Sequence, residues 1–213
     1  MAGTFSGREH AVRLQGVIAG LTSVYYVADP ERWHFLLQIP GLWRVMFPIK
    51  ENEDDELAMT SDFAQSLMSG IVPGIARYEV SHVTLYRVHQ RVASSFRAGR
   101  AFLAGDAAHI NNPLGGMGMN GGIHDAMNLT SRIVKVSRGE AADDELDRYD
   151  RQRRLVTLEY IQDQTIRNKR NMESDGDTFV RELQTVAADK ARARDYLIQT
   201  SMIASLRRAS QLG

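Results

Sequence analysis

Apolar residues recur at every second position through several short stretches of the amino-terminal half, the spacing of strands with one covered face. Thr22-Ser23-Val24-Tyr25-Tyr26-Val27 is β-branched and aromatic, and Asp29-Pro30 closes it. Trp33 to Ile39 sets Phe35, Leu37 and Ile39 against His34, Leu36 and Gln38. After a Pro40-Gly41 turn, Leu42 to Pro48 places Trp43, Val45 and Phe47 on one face. These segments predict an antiparallel meander, and Tyr78 to Val88 alternates again as a further strand of the same sheet. Between them an acidic run, Glu51 to Glu56, leads into a helix through Phe63, Leu67 and Met68 that ends near Gly70. Acidic residues suit the positive end of a helix dipole, so that run reads as structural.

The period then changes. A short apolar strand, Ala101-Phe102-Leu103-Ala104, reads as buried and stops at Gly105-Asp106. A glycine-rich loop follows, and Asn120 opens a helix on which Met119, Ile123, Ala126, Met127, Ile133 and Val134 fall at helical spacing up to about Gly139. Asp143 or Asp144 can cap the next helix, which carries Leu146, Tyr149, Val156 and Tyr160. Asp175-Gly176-Asp177 interrupts, and one or two polar helices run to the end. The expected class is α+β, with three segments: residues 1–98 a sheet with one helix, 99–173 a ligand-binding part, and 174–213 a helical segment.

Composition narrows the functions open to such a chain. The 213 residues are 43% hydrophobic and 24% charged, which excludes disordered and fibrous classes. Lys+Arg and Asp+Glu number 26 each, so no overall field draws nucleic acid or an anionic membrane. With no cysteine, thiolate metal sites, disulfides and a cysteine nucleophile are excluded, and no metal site is expected. No stretch approaches the length of a membrane span, so a cytoplasmic protein is the default expectation.

The informative chemistry lies between Gly99 and Leu129. Asp106 stands at the carboxyl end of a strand, where α/β folds bind ligands. Gly115, Gly116 and Gly118 let backbone approach a ligand, and the free N–H groups of the helix start can face negative charge. The loop is no phosphate loop, because no Gly-Lys-Ser/Thr follows. Each piece alone is ordinary turn chemistry, and His109 alone is an ordinary loop histidine. Their order and density within one stretch point to a site.

Residues 99 to 129 resemble the second flavin-binding motif of the FAD-dependent aromatic hydroxylases, the para-hydroxybenzoate hydroxylase-like group. Gly105-Asp106 resembles the family's GD motif, whose aspartate binds a ribityl hydroxyl of FAD. Pro113 and Gly115-Gly116-Met117-Gly118-Met119-Asn120 resemble its loop beside the flavin ring, where N–H groups face N1 and O2. Asp125, Ala126, Asn128 and Leu129 continue the corresponding helix. Val88-His89-Gln90-Arg91 resembles the approach to the motif, and Tyr149-Asp150-Arg151-Gln152-Arg153-Arg154 the helix after it. The resemblance therefore implies a partial α/β FAD-binding fold with Gly105, Asp106, Pro113, Gly116, Gly118, Met119, Asn120 and Arg91 as cofactor-binding residues. It implies a reaction in which NAD(P)H reduces FAD and O2 supplies one oxygen atom to a small aromatic substrate. Tyr25, Phe35, Trp43 and Phe47 would wall the substrate pocket, core packing being the alternative for each. No catalytic residue is assigned, and His109 reads as structural.

One departure bears on function. The family's opening G-x-G-x-x-G turn, which holds the ADP half of FAD, is absent, and its Asp-Gly-x-x-Ser-x-x-Arg motif survives only as Gly3 and Ser6, with Ala2 and Glu9 at the other positions and Arg8 one position early. The chain thus reads as a carboxyl-terminal portion of such an enzyme, partnered by a missing amino-terminal half or by further copies of itself. The alternative is a non-catalytic remnant, or a subunit of a split flavoenzyme that does not bind FAD alone.

Overall fold

The computed structural model describes residues 22–69, 71 and 75–212, and the backbone of residues 5–15. Within it the chain forms two compact units. Of the described residues, one unit holds those between 6 and 88 with 170–179, and the other holds 89–169 and 180–212 with Phe5. The division falls ten residues before the 98/99 boundary that the motifs suggested, and it returns residues 170–179 to the sheet unit.

In the sheet unit, β1 (Phe5–Gln15), β2 (Val24–Val27), β3 (His34–Ile39) and β4 (Leu42–Ile49) lie in the order β2-β3-β4-β1, each pair antiparallel. The alternation had not marked β1. It pairs Arg8 to Gln15 with Ile49 to Leu42 and has β5 (Val80–Val92) on its other side, so the strand expected over Tyr78 to Val88 joins the same sheet, in the order β2-β3-β4-β1-β5. Gly3 lies outside the described residues, as do the side chains of Ser6, Arg8 and Glu9.

Register decides which of two alternating sets is the core. Leu36 stands opposite Val45, so it joins Trp43, Val45 and Phe47, and these pack with Ala64, Met68 and Tyr78. Phe35 pairs with Met46 and Tyr26 on the other face, where it is also buried. The alternation alone left open which set, Phe35, Leu37 and Ile39 or His34, Leu36 and Gln38, meets the cluster of Trp43, and the register puts Leu36 there. Tyr25, opposite Leu36, shares the face of Trp43 and Phe47 but is exposed, and Phe35 points the other way. The four aromatics expected to wall one pocket thus do not share a face, and Trp43 and Phe47 belong to the core.

The acidic run forms two short helices rather than one. Asp54 caps α1 (Asp55–Ala58) by accepting from the Glu56 and Leu57 N–H groups, and Thr60 caps α2 (Ser61–Met68) through the Phe63 N–H. Glu53 turns back to pair with Arg32 and accepts the Lys50 N–H. Side-chain capping at Asp54 and again at Thr60 restarts the helix, which is why it breaks between Ala58 and Ser61. The expected stop at Gly70 lies outside the described residues.

β5 (Val80–Val92) leaves the sheet unit after Val88. In the second unit its Arg91 and Val92 pair with Ile110 and His109 of β8 (His109–Ile110). β6 (Arg97–Ala98) and β7 (Ala101–Phe102) make a two-stranded sheet, so the far edge of β7 carries no strand among the described residues. Ala101, Leu103 and Ala104 are exposed, which corrects the expected buried strand.

α3 (Met117–Ser137) starts at Gly116, not Asn120. α4 (Glu145–Val156) runs through a π-helical stretch (Thr157–Gln162) into α5 (Asp163–Met172). Asp144 precedes α4 without a side-chain cap, and Asp143 is taken by Arg97 instead. Three helices follow where one or two were expected: α6 (Gly176–Ala187), α7 (Lys190–Thr200) and α8 (Ile203–Gln211). Among the described residues no helix is long and apolar enough to cross a membrane.

α3 is unusual in what it leaves uncovered. Met119 is 74% exposed, Ile123 51% and Met127 69%, a stripe at four-residue spacing that nothing in the second unit covers. A face of that size on a helix is the mark of a packing surface rather than of a solvated one.

Candidate functional site

The site is built on the hairpin β6–β7, the turn after it, and the start of α3. α4 grips the hairpin from one side: the Phe96 N–H donates to Asp150 at 2.6 Å and the Tyr149 hydroxyl donates to the Leu103 carbonyl at 2.6 Å. Burial raises the Tyr149 hydroxyl well above the ordinary phenol range, with the nearby Asp125 and Asp150 charges adding to it, so it stays a donor. Arg97 reaches Asp143 and Asp147, fixing the other strand to the start of the same helix.

The chain leaves β7 through Gly105, whose φ of +60° a residue with a Cβ adopts only with strain. Gly105 to Ala107 form one 3₁₀ turn, closed by the Ala108 N–H on the Gly105 carbonyl at 2.8 Å. Asp106 rides on the outside of this turn. The residue is exposed, and among the described residues its carboxylate has no hydrogen-bond or ion-pair partner, so it can meet an external donor.

Beneath the turn lies a buried charge cluster. Asp125 of α3 accepts the Gly105 N–H (3.0 Å) and His109 Nε2 (2.7 Å) on one oxygen and Arg153 Nε (2.7 Å) on the other. All three side chains are buried. Burial works to raise the Asp125 carboxyl, but hydrogen bonds and charge from His109 and Arg153 outweigh it and hold the group below the usual carboxylate range. His124 beside it goes the other way: burial, then the Arg153 charge, lowers its imidazole against the opposing pull of Asp125.

The glycine loop is held by a second buried polar network. Asn112 donates to Gln90 (2.9 Å) and to the Thr165 carbonyl (3.1 Å), and its own oxygen accepts the Leu114 N–H (3.1 Å). Gln90 in turn donates to the Thr165 hydroxyl at 2.7 Å. Pro113 follows, half-buried, and Gly115 and Gly116 take φ values of +94° and +64°. Those left-handed turns aim the chain into α3, and no side chain caps the helix. The N–H groups of Met117, Gly118 and Met119 therefore have no partner within it. Because α3 begins three residues before the expected start, these donors replace that of Asn120, whose side-chain amide donates to the Gly116 carbonyl at 3.0 Å.

Of the residues expected from sequence, Gly105 and Asp106 form the turn, Pro113, Gly116 and Gly118 the loop and helix start, and Met119 and Asn120 the exposed rim. Arg91 is exposed on β5 opposite Ile110, outside both turn and loop. Of the residues that hold the framework, Asp125, Gln90 and Arg153 stand in the stretches that resemble the family but received no role, and Asn112 and Thr165 were not named. A hint for Asp125 was present: a carboxylate one residue from Ala126 on an otherwise apolar-periodic helix has to find a partner.

An open carboxylate can accept from hydroxyl groups, and an uncapped helix start can donate to an electron-rich ring edge. A polyhydroxylated cofactor with an anionic ring fits this donor and acceptor set. The absence of a Cβ at Gly116, where nothing lies within 4 Å, and the buried, unpaired Asn111 Oδ1 beside Gly118 leave room and polarity for it.

Comparison with known proteins agrees. The FAD binding domain family matches residues 33–164. A para-nitrophenol 4-monooxygenase from a Pseudomonas species is 35% identical over 84% of this chain and 46% of its own length. A 3-(3-hydroxy-phenyl)propionate/3-hydroxycinnamic acid hydroxylase of Mycolicibacterium smegmatis is 43% identical over 60% of the chain and 23% of its own length. The crystal structure of the p-nitrophenol 4-monooxygenase PnpA of Pseudomonas putida superposes with a TM-score of 0.71 at 30% identity, covering 98% of this chain and 51% of PnpA. The chain belongs to the FAD-binding-domain family of flavin-dependent aromatic hydroxylases. FAD is the cofactor of that family. The chain spans about half the length of the nitrophenol monooxygenases it matches and about a quarter of the hydroxyphenylpropionate hydroxylase.

Proposed function

We propose that this chain is the flavin-ring and substrate-side portion of an FAD-dependent monooxygenase that hydroxylates a phenolic ring with NAD(P)H and O2. The observation that carries the reading is the exposed Asp106 carboxylate, without a partner among the described residues, in the same unit as the uncapped start of α3, in a chain of this family. In this reading the Asp106 carboxylate accepts from ribityl hydroxyls. The Met117, Gly118 and Met119 N–H groups face the flavin N1/O2 edge and stabilise negative charge there. Gly105 and Gly116 admit the cofactor's approach, Pro113 stiffens the loop, Asn120 braces it, and Arg91 lends positive charge nearby. Bound FAD supplies the redox and oxygen chemistry. A phenolic substrate is favoured because a nitrophenol monooxygenase and a hydroxyphenylpropionate hydroxylase are among the relatives. Residues 1–98 would then be the substrate side, 99–173 the flavin side and 174–213 a helical support, working in the cytoplasm where NAD(P)H is available.

The split or remnant alternative is favoured by one observation, the uncovered stripe of α3 with the free edge of β7. Both would be covered by the portion of such an enzyme that carries the ADP half-site. Without that half-site, FAD should bind this chain weakly, since several charge-assisted contacts of about 1.5–3 kcal/mol each are lacking. FAD titrated into the chain and followed by flavin fluorescence tests the reading. Saturable, weak binding that Asp106→Ala reduces by about 2–4 kcal/mol is expected. Unaltered affinity in that variant refutes the site, and stoichiometric FAD retained through gel filtration refutes the need for a second half.

A further inference from the structure

We propose that Asp125 is a positioning residue for the flavin site: its buried carboxylate fixes the Gly105 turn and thereby the direction in which Asp106 is presented. The inference rests on the FAD reading above and goes beyond it to a residue that touches no cofactor.

Asp106 is exposed and its side chain is anchored to none of the described residues, so its aim is set by the backbone on either side. On one side is Gly105, on the other His109, and α3 holds both. Asp125 accepts from the Gly105 N–H and from His109 Nε2 with the same oxygen. Because a carboxylate only accepts, both partners must donate, which also sets the histidine tautomer. One turn earlier, Gly122 lies so close that a Cβ there would stand 3.2 Å from the Gly105 Cα, and a Cβ on Gly121 would stand 3.0 Å from the His109 ring. Three residues of one helix face thus clamp both ends of the segment that carries Asp106.

Arg153 supplies the remaining condition. Its Nε on the other Asp125 oxygen, at 2.7 Å, keeps the carboxylate ionised in a site closed to water. An ionised carboxylate offers acceptors to donors on both sides at once, whereas an amide offers only one oxygen. In Asp125→Asn the Arg153 donor claims that oxygen, and the amide N–H₂ is left facing the Gly105 and His109 donors. The turn loses its anchor while side-chain volume is unchanged.

Two variants of the chain test this, each read by amide hydrogen exchange and by FAD titration followed through amide shifts. Asp125→Asn should expose the Gly105 amide to exchange and weaken FAD about tenfold, the scale of one charge-assisted hydrogen bond. Gly122→Ala removes no charge and favours the helix, yet presses on Gly105, so it should weaken FAD while the α3 amides stay protected. A purely structural role for Asp125 would instead loosen α3 and α4 together and leave Gly122→Ala without effect on FAD. The proposal is overturned if the Gly105 amide stays protected in Asp125→Asn, or if that amide is freed and FAD affinity does not change. Unaltered affinity in Asp106→Ala would overturn the FAD reading instead, and the Gly105 amide would still decide whether Asp125 anchors the turn.

Discussion

Truncating Asn112 to alanine should destabilise the second unit by about 2–4 kcal/mol. The side chain makes three hydrogen bonds inside the unit, to Gln90, to the Thr165 carbonyl and from the Leu114 N–H, and only 2% of the residue is exposed. Three net contributions of about 0.5–1.5 kcal/mol bracket the loss, and the stranded Leu114 N–H adds a desolvation cost of the same order. Gln90 keeps one donor, the Asn112 backbone N–H at 3.3 Å, which holds the total toward the middle of the range. At roughly 2–4 °C per kcal/mol for a chain of this size, the midpoint should fall by about 5–15 °C. Far-UV circular dichroism is the right probe, because both tryptophans, Trp33 and Trp43, lie in the sheet unit and α3, α4 and α8 do not. Asn112→Asp is the sharper control. It keeps the acceptor for Leu114 but turns negative charge toward the Gln90 oxygen and the Thr165 carbonyl, so it should be worse than alanine at neutral pH. A loss below about 0.5 kcal/mol in Asn112→Ala would mean that the network does not hold the loop.

Gly115→Ala should cost more than Gly116→Ala in thermal stability, because both have positive φ but a Cβ at 115 would displace the Asn168 amide from the Leu114 carbonyl while 116 faces open space; equal losses would refute this. Replacing Met119 and Met127 together by glutamine should reduce self-association and hydrophobic-dye binding, measured by sedimentation and fluorescence, and no change would show that the α3 stripe is not the sticky surface. Asp125, with its carboxyl held low in the folded chain, stabilises the fold above the unfolded value of about 3.9. That contribution is lost as pH falls through the lower folded value, so the acid limb of stability should be shallower in Asp125→Asn, and superimposable limbs would contradict it.

Much of this protein was determined by local sequence. Alternation marked β2, β3, β4 and β5, and Gly105-Asp106 followed by the glycine loop identified both the family and the turn, because period and φ requirements act over a few residues. The same locality explains the errors. Alternation defines two sets but not which faces inward, and only the Leu36–Val45 register places Leu36 with Trp43, Val45 and Phe47. Helical spacing pointed to Asn120 as the opening of α3, yet the left-handed Gly116 starts it three residues earlier and moves the free donors with it. The framework of the site was out of reach for a different reason. Asp125 and Arg153 are 28 residues apart, and Asn112 meets Gln90 and Thr165 across 22 and 53. Such pairs form because a buried carboxylate or amide is costly until it finds partners, and only the tertiary packing of α3, α4 and α5 says which partners are within reach.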